Sequence, residues 1–262
     1  MIAAWRGHEE RALELIDLNV RSATARGEGR AITLAEYARA VLCNGLGRYQ
    51  AALVAARRAC EREDARWLAW ALAELVEAGA RSVRPDVAAA AMRQLEERTC
   101  TAGTDSARAS EARSRAMLTG GADAEALYQE AIERLSRGSL AIHLARAHLV
   151  YGEWLRRESR RVDAREQLRT ALVRFDDMGM AGFAERARRE LLATGETVRK
   201  RSVETREELT AQEAEIARLA RAGRTNPEIG TELFISPRTV EWHMRKVFTI
   251  GVRSRRELRE AL

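Results

Sequence analysis

Side chains able to make and break bonds are sparse in this 262-residue chain, and none of them forms a catalytic spacing. His143 and His148 lie five apart, so they miss the i, i+4 face that a helical metal pair needs, and no metal is expected. Cys43, Cys60 and Cys100 have no C-x-x-C partner. Their odd, scattered number fits a reduced, cytoplasmic chain, and Cys60 and Cys100 are expected as small core residues. Asp176-Asp177 stands before a Met-Gly turn and reads as the end of a helix. No G-x-x-x-x-G-K-[ST] loop occurs, so neither ATP nor another cofactor is expected, and an enzyme is the last of the readings. What remains is recognition chemistry. The segment RTVEWHMRKVF, from Arg238 to Phe248, gathers guanidinium, ammonium, carboxylate, imidazole and indole groups on one short stretch.

The pattern around that stretch says how it is held. Val240, Met244 and Val247 recur at four and three and pack inward, while Glu241, Trp242 and Arg245 fall on another face with Arg238 near its start. Upstream, Thr210 and Glu213 form a T-x-x-E capping box, and Ala222-Gly223 is a glycine stop. Asn226-Pro227 is a cap plus first-turn proline, and Ser236-Pro237 repeats the device. Gly251 ends the third helix, and Ser254 with Glu257 opens a fourth. Ile216, Leu219, Ile229, Leu233, Val240, Met244 and Val247 are the expected core. Four short helices, the second and third joined by a tight Phe234-Ile235 turn, describe a helix-turn-helix with one helix added. In a helix-turn-helix the exposed face of the third helix is the one that enters the major groove of DNA.

The preceding three quarters read as helical hairpins. Only three prolines occur, with 46% apolar and 32% charged residues, so a folded, nearly all-helical chain fits and a disordered one does not. The longest apolar run, Val87 to Met92, is too short to span a membrane, and no secretory signal follows Met1. Gly47-x-Tyr49-x-x-Ala52-x-x-x-Ala56-x-x-Ala59 is a glycine turn followed by a helix whose small residues share a face. Ala12, Ala88, Ala124 and Ala164 take the place of Ala52 in comparable helices. The steps are 40, 36, 36 and 40 residues, slightly longer than a tetratricopeptide unit. The array therefore resembles a degenerate tetratricopeptide array, with an irregular bundle as the alternative. Ala78 to Pro85 is expected as a turn and Thr99 to Ser106 as a polar loop. Trp5 to Asn19 is expected as the second helix of a hairpin lacking its first, as in a fragment or a shortened gene. Trp67, Trp70 and Trp154 read as fillers of grooves between helices, or as the lining of a concave ligand surface. The net charge of +6 is concentrated late, since Val198 to Leu262 holds 14 basic and 10 acidic residues. Arg199, Lys200 and Arg201 are read as a solvated charge run, with phosphate contact as the alternative.

The stretch LTAQEAEIARLARAGRTNPEIGTELFISPRTVEWHMRKVF resembles the DNA-binding domain of LuxR-type bacterial regulators, through LTxxE, the NxEIG step, L-F-I-S-x-R-T-V and V-x-x-H. The array and the junction ELLATGETVRKRSVETREELT are similar to the segment before that domain in the large ATP-binding, MalT-like members. The resemblance implies a helical array over 1–195, a linker over 196–206 and a DNA-binding domain over 207–262. It further implies that Glu241, Trp242 and Arg245 read base edges. Arginine forks onto guanine, glutamate accepts from cytosine N4, and an apolar ring meets a thymine methyl. Asn226, Arg238, Thr239, His243 and Lys246 would contact phosphates. For Trp242 the alternative is partial burial against the preceding helix, and for His243 packing within the domain. Arg255, Leu258, Arg259 and Leu262 would form the dimer face. Family members usually have two residues between the positions of Thr249 and Gly251, whereas only Ile250 stands here. That loss rotates a following helix by about 100° and shifts the dimer face. The expected function is a regulator that binds double-stranded DNA as a homodimer, with the array sensing a ligand or docking a protein partner. The alternative is an interaction scaffold, or a truncated regulator with an impaired DNA-binding domain.

Overall fold

The computed structural model describes residues 1–61, 65–196, 211–233, 235–237, 239–241 and 244. The chain divides into two compact units, 1–198 and 199–262.

In the first unit every regular element among the described residues is a helix: α1 (Ile2–Arg6), α2 (Glu9–Ala25), α3 (Gly29–Gly45), α4 (Tyr49–Cys60), α5 (Ala65–Arg81), α6 (Pro85–Ala102), α7 (Asp105–Ala116), α8 (Gly121–Ser136), α9 (Ala141–Arg157), α10 (Arg161–Asp177) and α11 (Ala181–Ala193). Successive helices pack against each other as hairpins. The alanine register follows a simple rule: Ala12, Ala52, Ala88, Ala124 and Ala164 are each the fourth residue of α2, α4, α6, α8 and α10, and all are buried. A methyl at that point lets the partner helix approach closely. Tyr128 and Leu168, one turn further on, are fully buried between the alanines. At the tightest point the α9–α10 pair needs a glycine, because a Cβ on Gly152 would lie 2.6 Å from Leu168 Cγ.

The even-numbered helices bury one stripe each, whereas α3, α5 and α9 are covered on nearly every side. The odd helices line the inside of the array. Its beginning meets its end, for α1 and α3 both touch α11. Gly7 and Gly182 are in contact there, and a Cβ on Gly7 would lie 2.6 Å from Gly182 Cα.

The inside is filled by charge. Arg146 of α9 bonds both carboxylate oxygens of Glu74, and reaches Glu77 Oε2 at 2.7 and 3.1 Å. Arg186 of α11 forks onto Glu153 at 2.7 and 2.9 Å, and donates to Glu77 at 2.7 Å and to the Asn44 carbonyl at 3.0 Å. Asn44 donates to Glu74, and Arg81 pairs with Glu153. Glu74, Glu77, Glu153, Arg146 and Arg186 are all at most 2% exposed. Arg146 also lies over the rings of Trp5 and Phe183. The surrounding guanidiniums outweigh burial at Glu77 and hold its carboxyl well below the usual range. His143 lies between Trp5, which it meets edge to face, and the tilted ring of Trp70, and burial holds its pKa well below the ordinary imidazole value. None of this cluster stood out in the sequence analysis, although charges inside apolar runs such as LAWALAELVEAGA were the visible sign.

Four expectations change. The turn at 78–85 shrinks to Ser82–Arg84, because α5 continues through Gly79, whose missing Cβ admits Ala88. The loop at 99–106 shrinks to Gly103 and Thr104, where a left-handed glycine stop meets a threonine cap that accepts from the Ala107 amide. Trp5 belongs to α1 rather than to α2, since left-handed Gly7 ends the first helix. Cys100 is exposed, because Leu95 and Thr99 take the inward positions of α6. Trp154 is buried against Tyr128 and Tyr151, as a groove filler is; Trp70 is half-buried, and the side chain of Trp67 lies outside the described residues.

Two predictions follow from this unit. Left-handed backbone precedes α2, α3, α4 and α11 at Gly7, Gly27, Gly47 and Gly179, but Val83 holds the same place before α6 at φ 55° while 85% exposed. Val83→Gly is expected to stabilise the array by about 1 kcal/mol, seen as a raised urea midpoint at constant slope. Arg146→Met, in contrast, takes the forked guanidinium from buried Glu74 and one of two guanidiniums from buried Glu77, and should cost about 3–5 kcal/mol at pH 7. The cost should shrink on acidification: a depressed Glu77 pKa contributes stability above the unfolded carboxyl value, and that contribution is lost as pH falls through the folded value. A pH-independent penalty in denaturant titrations would contradict the ionic account.

Candidate nucleic-acid interface

Among the described residues of the second unit are α12 (Ala211–Arg221) and α13 (Asn226–Glu232), and residues 237, 239–241 and 244 are also helical. Between α12 and α13, Gly223 adopts φ 89°, so the Arg224 amide reaches back to the Leu219 carbonyl and closes the first helix. The glycine stop thus stands where the sequence placed it. The cap of α13 lies one residue earlier than expected, on Thr225 rather than Asn226. The Glu228 carboxylate accepts from both the amide and the hydroxyl of Thr225, which lowers its pKa. Asn226 and Pro227 therefore occupy the first turn, where a proline loses no hydrogen bond.

The turn after α13 is set by a close backbone approach. The Ile235 amide donates to the Gly230 carbonyl at 2.9 Å, and a Cβ on Gly230 would lie 2.6 Å from the Ile235 carbonyl oxygen. Only glycine admits this path, which gives the NxEIG step its physical meaning. Ser236 then caps the next helix. Its Oγ accepts from the Thr239 amide at 3.0 Å and shares a 2.7 Å hydrogen bond with the Thr239 hydroxyl.

The core below is compact. Ile216, Ala217, Leu219, Ala220, Ile229, Val240 and Met244 are buried together, with Leu233 and Ile235 packed against them. Val247 lies outside the described residues. With Val240 and Met244 turned inward, Glu241 is exposed. Thr239 and Asn226 are half-buried, Thr239 beside the Ser236 cap and Asn226 in the first turn of α13. The structure thus describes Asn226, Thr239 and Glu241. The other expected contact residues, Arg238, Trp242, His243, Arg245 and Lys246, lie outside the described residues. So do Thr210 and the side chain of Glu213, the linker, Phe234, the Gly251 helix end, the Ser254–Glu257 box and the dimer-face residues Arg255, Leu258, Arg259 and Leu262. Among the described residues no group of acidic, cysteine or histidine side chains is placed to hold a metal ion, and no helix is long and apolar enough to cross a membrane.

The Gly230 contact gives a prediction. Gly230→Ala forces the methyl against a backbone carbonyl that cannot rotate away, and should destabilise the second unit by about 1–3 kcal/mol. Hydrogen exchange at the Ile229 and Val240 amides would report it; unchanged protection there would contradict the tight-turn account.

Residues 207–260 match the family described as bacterial regulatory proteins, luxR family. No curated protein and no solved structure gives a significant match to the chain. The matched region spans α12, the Gly230 turn, α13 and the Ser236-capped helix. Residues 207–260 thus form a LuxR-type helix-turn-helix domain, which indicates a DNA-binding role in transcription regulation.

Proposed function

We propose that the second unit reads a specific DNA sequence through the solvent face of the Ser236-capped helix, and that the array governs it by sensing a ligand or docking a protein. The observation that carries the reading is the division of faces in that helix. Val240 and Met244 are at most 3% exposed, while Glu241 between them is exposed. By helical spacing in the sequence, position 245 shares a face with Glu241, the face by which a recognition helix meets base edges. In this reading Arg245 forks onto a guanine, Glu241 accepts from a cytosine amine, and Trp242 meets a thymine methyl. Asn226, Arg238, Thr239, His243 and Lys246 set the register on phosphates. Arg255, Leu258, Arg259 and Leu262 pair two copies on a two-fold symmetric site. Tetratricopeptide-like hairpins suit the regulatory part, since such arrays commonly serve as binding surfaces.

The test compares two neighbours. Arg245→Ala should cost about 1–3 kcal/mol on the preferred duplex and relax specificity at one base pair. Lys246→Ala should weaken binding to all duplexes alike and reduce the slope of affinity against salt by about one. Equal losses on preferred and random duplexes for Arg245→Ala would overturn the base-reading assignment.

A further inference from the structure

An array of helical hairpins ordinarily offers its concave inner surface to a ligand. Here that surface is occupied by the Arg146–Glu74–Glu77–Arg186–Glu153 cluster, whose members are at most 2% exposed. A small molecule has no room there without breaking buried ion pairs. Space exists elsewhere in the array. A cavity of about 620 Å³ opens between α5, the end of α6 and the start of α7, within the range of small-molecule sites.

Its walls select a chemistry. Trp70, Leu95, Ala102 and Ala107 supply apolar surface. The Trp70 ring is half-buried and lies against His143 on the inner side, with ring centroids 4.3 Å apart. Ser110, on the wall formed by α7, has a hydroxyl oxygen that is buried and lacks a hydrogen-bond partner. A buried hydroxyl left unpaired is costly, and a turn of the Ser110 side chain toward the cavity would let it donate to a carbonyl or ether oxygen arriving there. Among the described lining residues the charged ones are one glutamate, Glu97, and one arginine, Arg98, which balance each other. The start of α7 is already taken, because Thr104 caps it and Asp105 sits in its first turn.

We propose that this cavity takes a small uncharged planar ligand, stacked on or edged against Trp70 and accepting a hydrogen bond from the Ser110 hydroxyl. The assignment rests on the reading that the array senses a ligand. It identifies the chemical class and the place, outside the filled centre. Because Trp70 also touches His143, whose ring meets Trp5 of α1 edge to face, two rings stand between a ligand here and the Trp5–Phe183 contact that joins the beginning of the array to its end.

The probe is 7-methoxycoumarin, an uncharged fused-ring molecule with carbonyl and ether acceptors, titrated into the full chain and followed by fluorescence polarisation. Saturable one-to-one binding is expected. Ala107→Trp, which fills the cavity from α7, should abolish it. Ser110→Ala, a change too small to unfold the helix, should weaken it roughly three- to tenfold. Both variants should keep the wild-type affinity for DNA without ligand, so that a failure here is distinct from a failure of the DNA-binding reading. Coumarin-3-carboxylate, the anionic counterpart, should bind more weakly. No saturable binding of the neutral probe, full binding by Ala107→Trp, or tighter binding of the carboxylate would each overturn the proposal.

Discussion

The array depends on the pairing of two buried arginines, Arg146 and Arg186, with buried glutamates. A guanidinium or carboxylate taken out of water loses several kcal/mol of solvation, and the loss is recovered only where geometry and hydrogen bonding are nearly complete. Arg146 and Arg186 meet that condition by forking onto three glutamates contributed by α5 and α9. The pairing joins α5, α9 and α11, segments up to 109 residues apart in the chain, and the Asn44 bonds tie α3 to them. It also fills the interior. A solenoid that would otherwise present a groove becomes an array closed on itself, with α1 seated against α11 through the Gly7–Gly182 contact. Whatever the array recognises must therefore meet it at its outer surface or in a side cavity.

The second unit follows the opposite strategy. Its described residues rely on local devices: a glycine stop at Gly223, a Glu228–Thr225 cap, a glycine where two backbones approach at Gly230, and a serine cap at Ser236. Each fixes one joint between short helices that could not persist alone. Together they turn Val240 and Met244 inward, which leaves Glu241 exposed. In such a domain specificity resides in a few side chains, and the joints exist to aim them.

This difference explains what could be read in advance. The Ser236 cap, the Gly223 stop and the described core residues of the helix-turn-helix were legible because each is decided within about four residues; at α13 the slip from Thr225 to Asn226 is a single position. The alanine register of α2, α4, α6, α8 and α10 was legible for the same reason, being a local spacing repeated. The lengths of the connections were not, because α5 runs on through Gly79 only where Ala88 of the next helix needs the space. The pairing of the ionic centre was not legible. Glu74 and Glu77 stand inside an apolar run, which hints at burial, but Arg146 and Arg186 arrive from far along the chain, and spacing carries no record of such partners. The surroundings of His143 were equally hidden, since Trp5, Trp70 and His143 come from three helices remote in sequence.

The account stands or falls on whether the chain reads sequence. The most direct measurement is selection of random DNA duplexes by the full-length protein at two salt concentrations, with the retained pool sequenced. Recovery of one short, two-fold symmetric site at both concentrations is the predicted result, because base-edge contacts persist when phosphate contacts are screened. Retention that falls steeply with salt and enriches no site would contradict it, and would reduce the second unit to a charged surface that holds DNA without reading it.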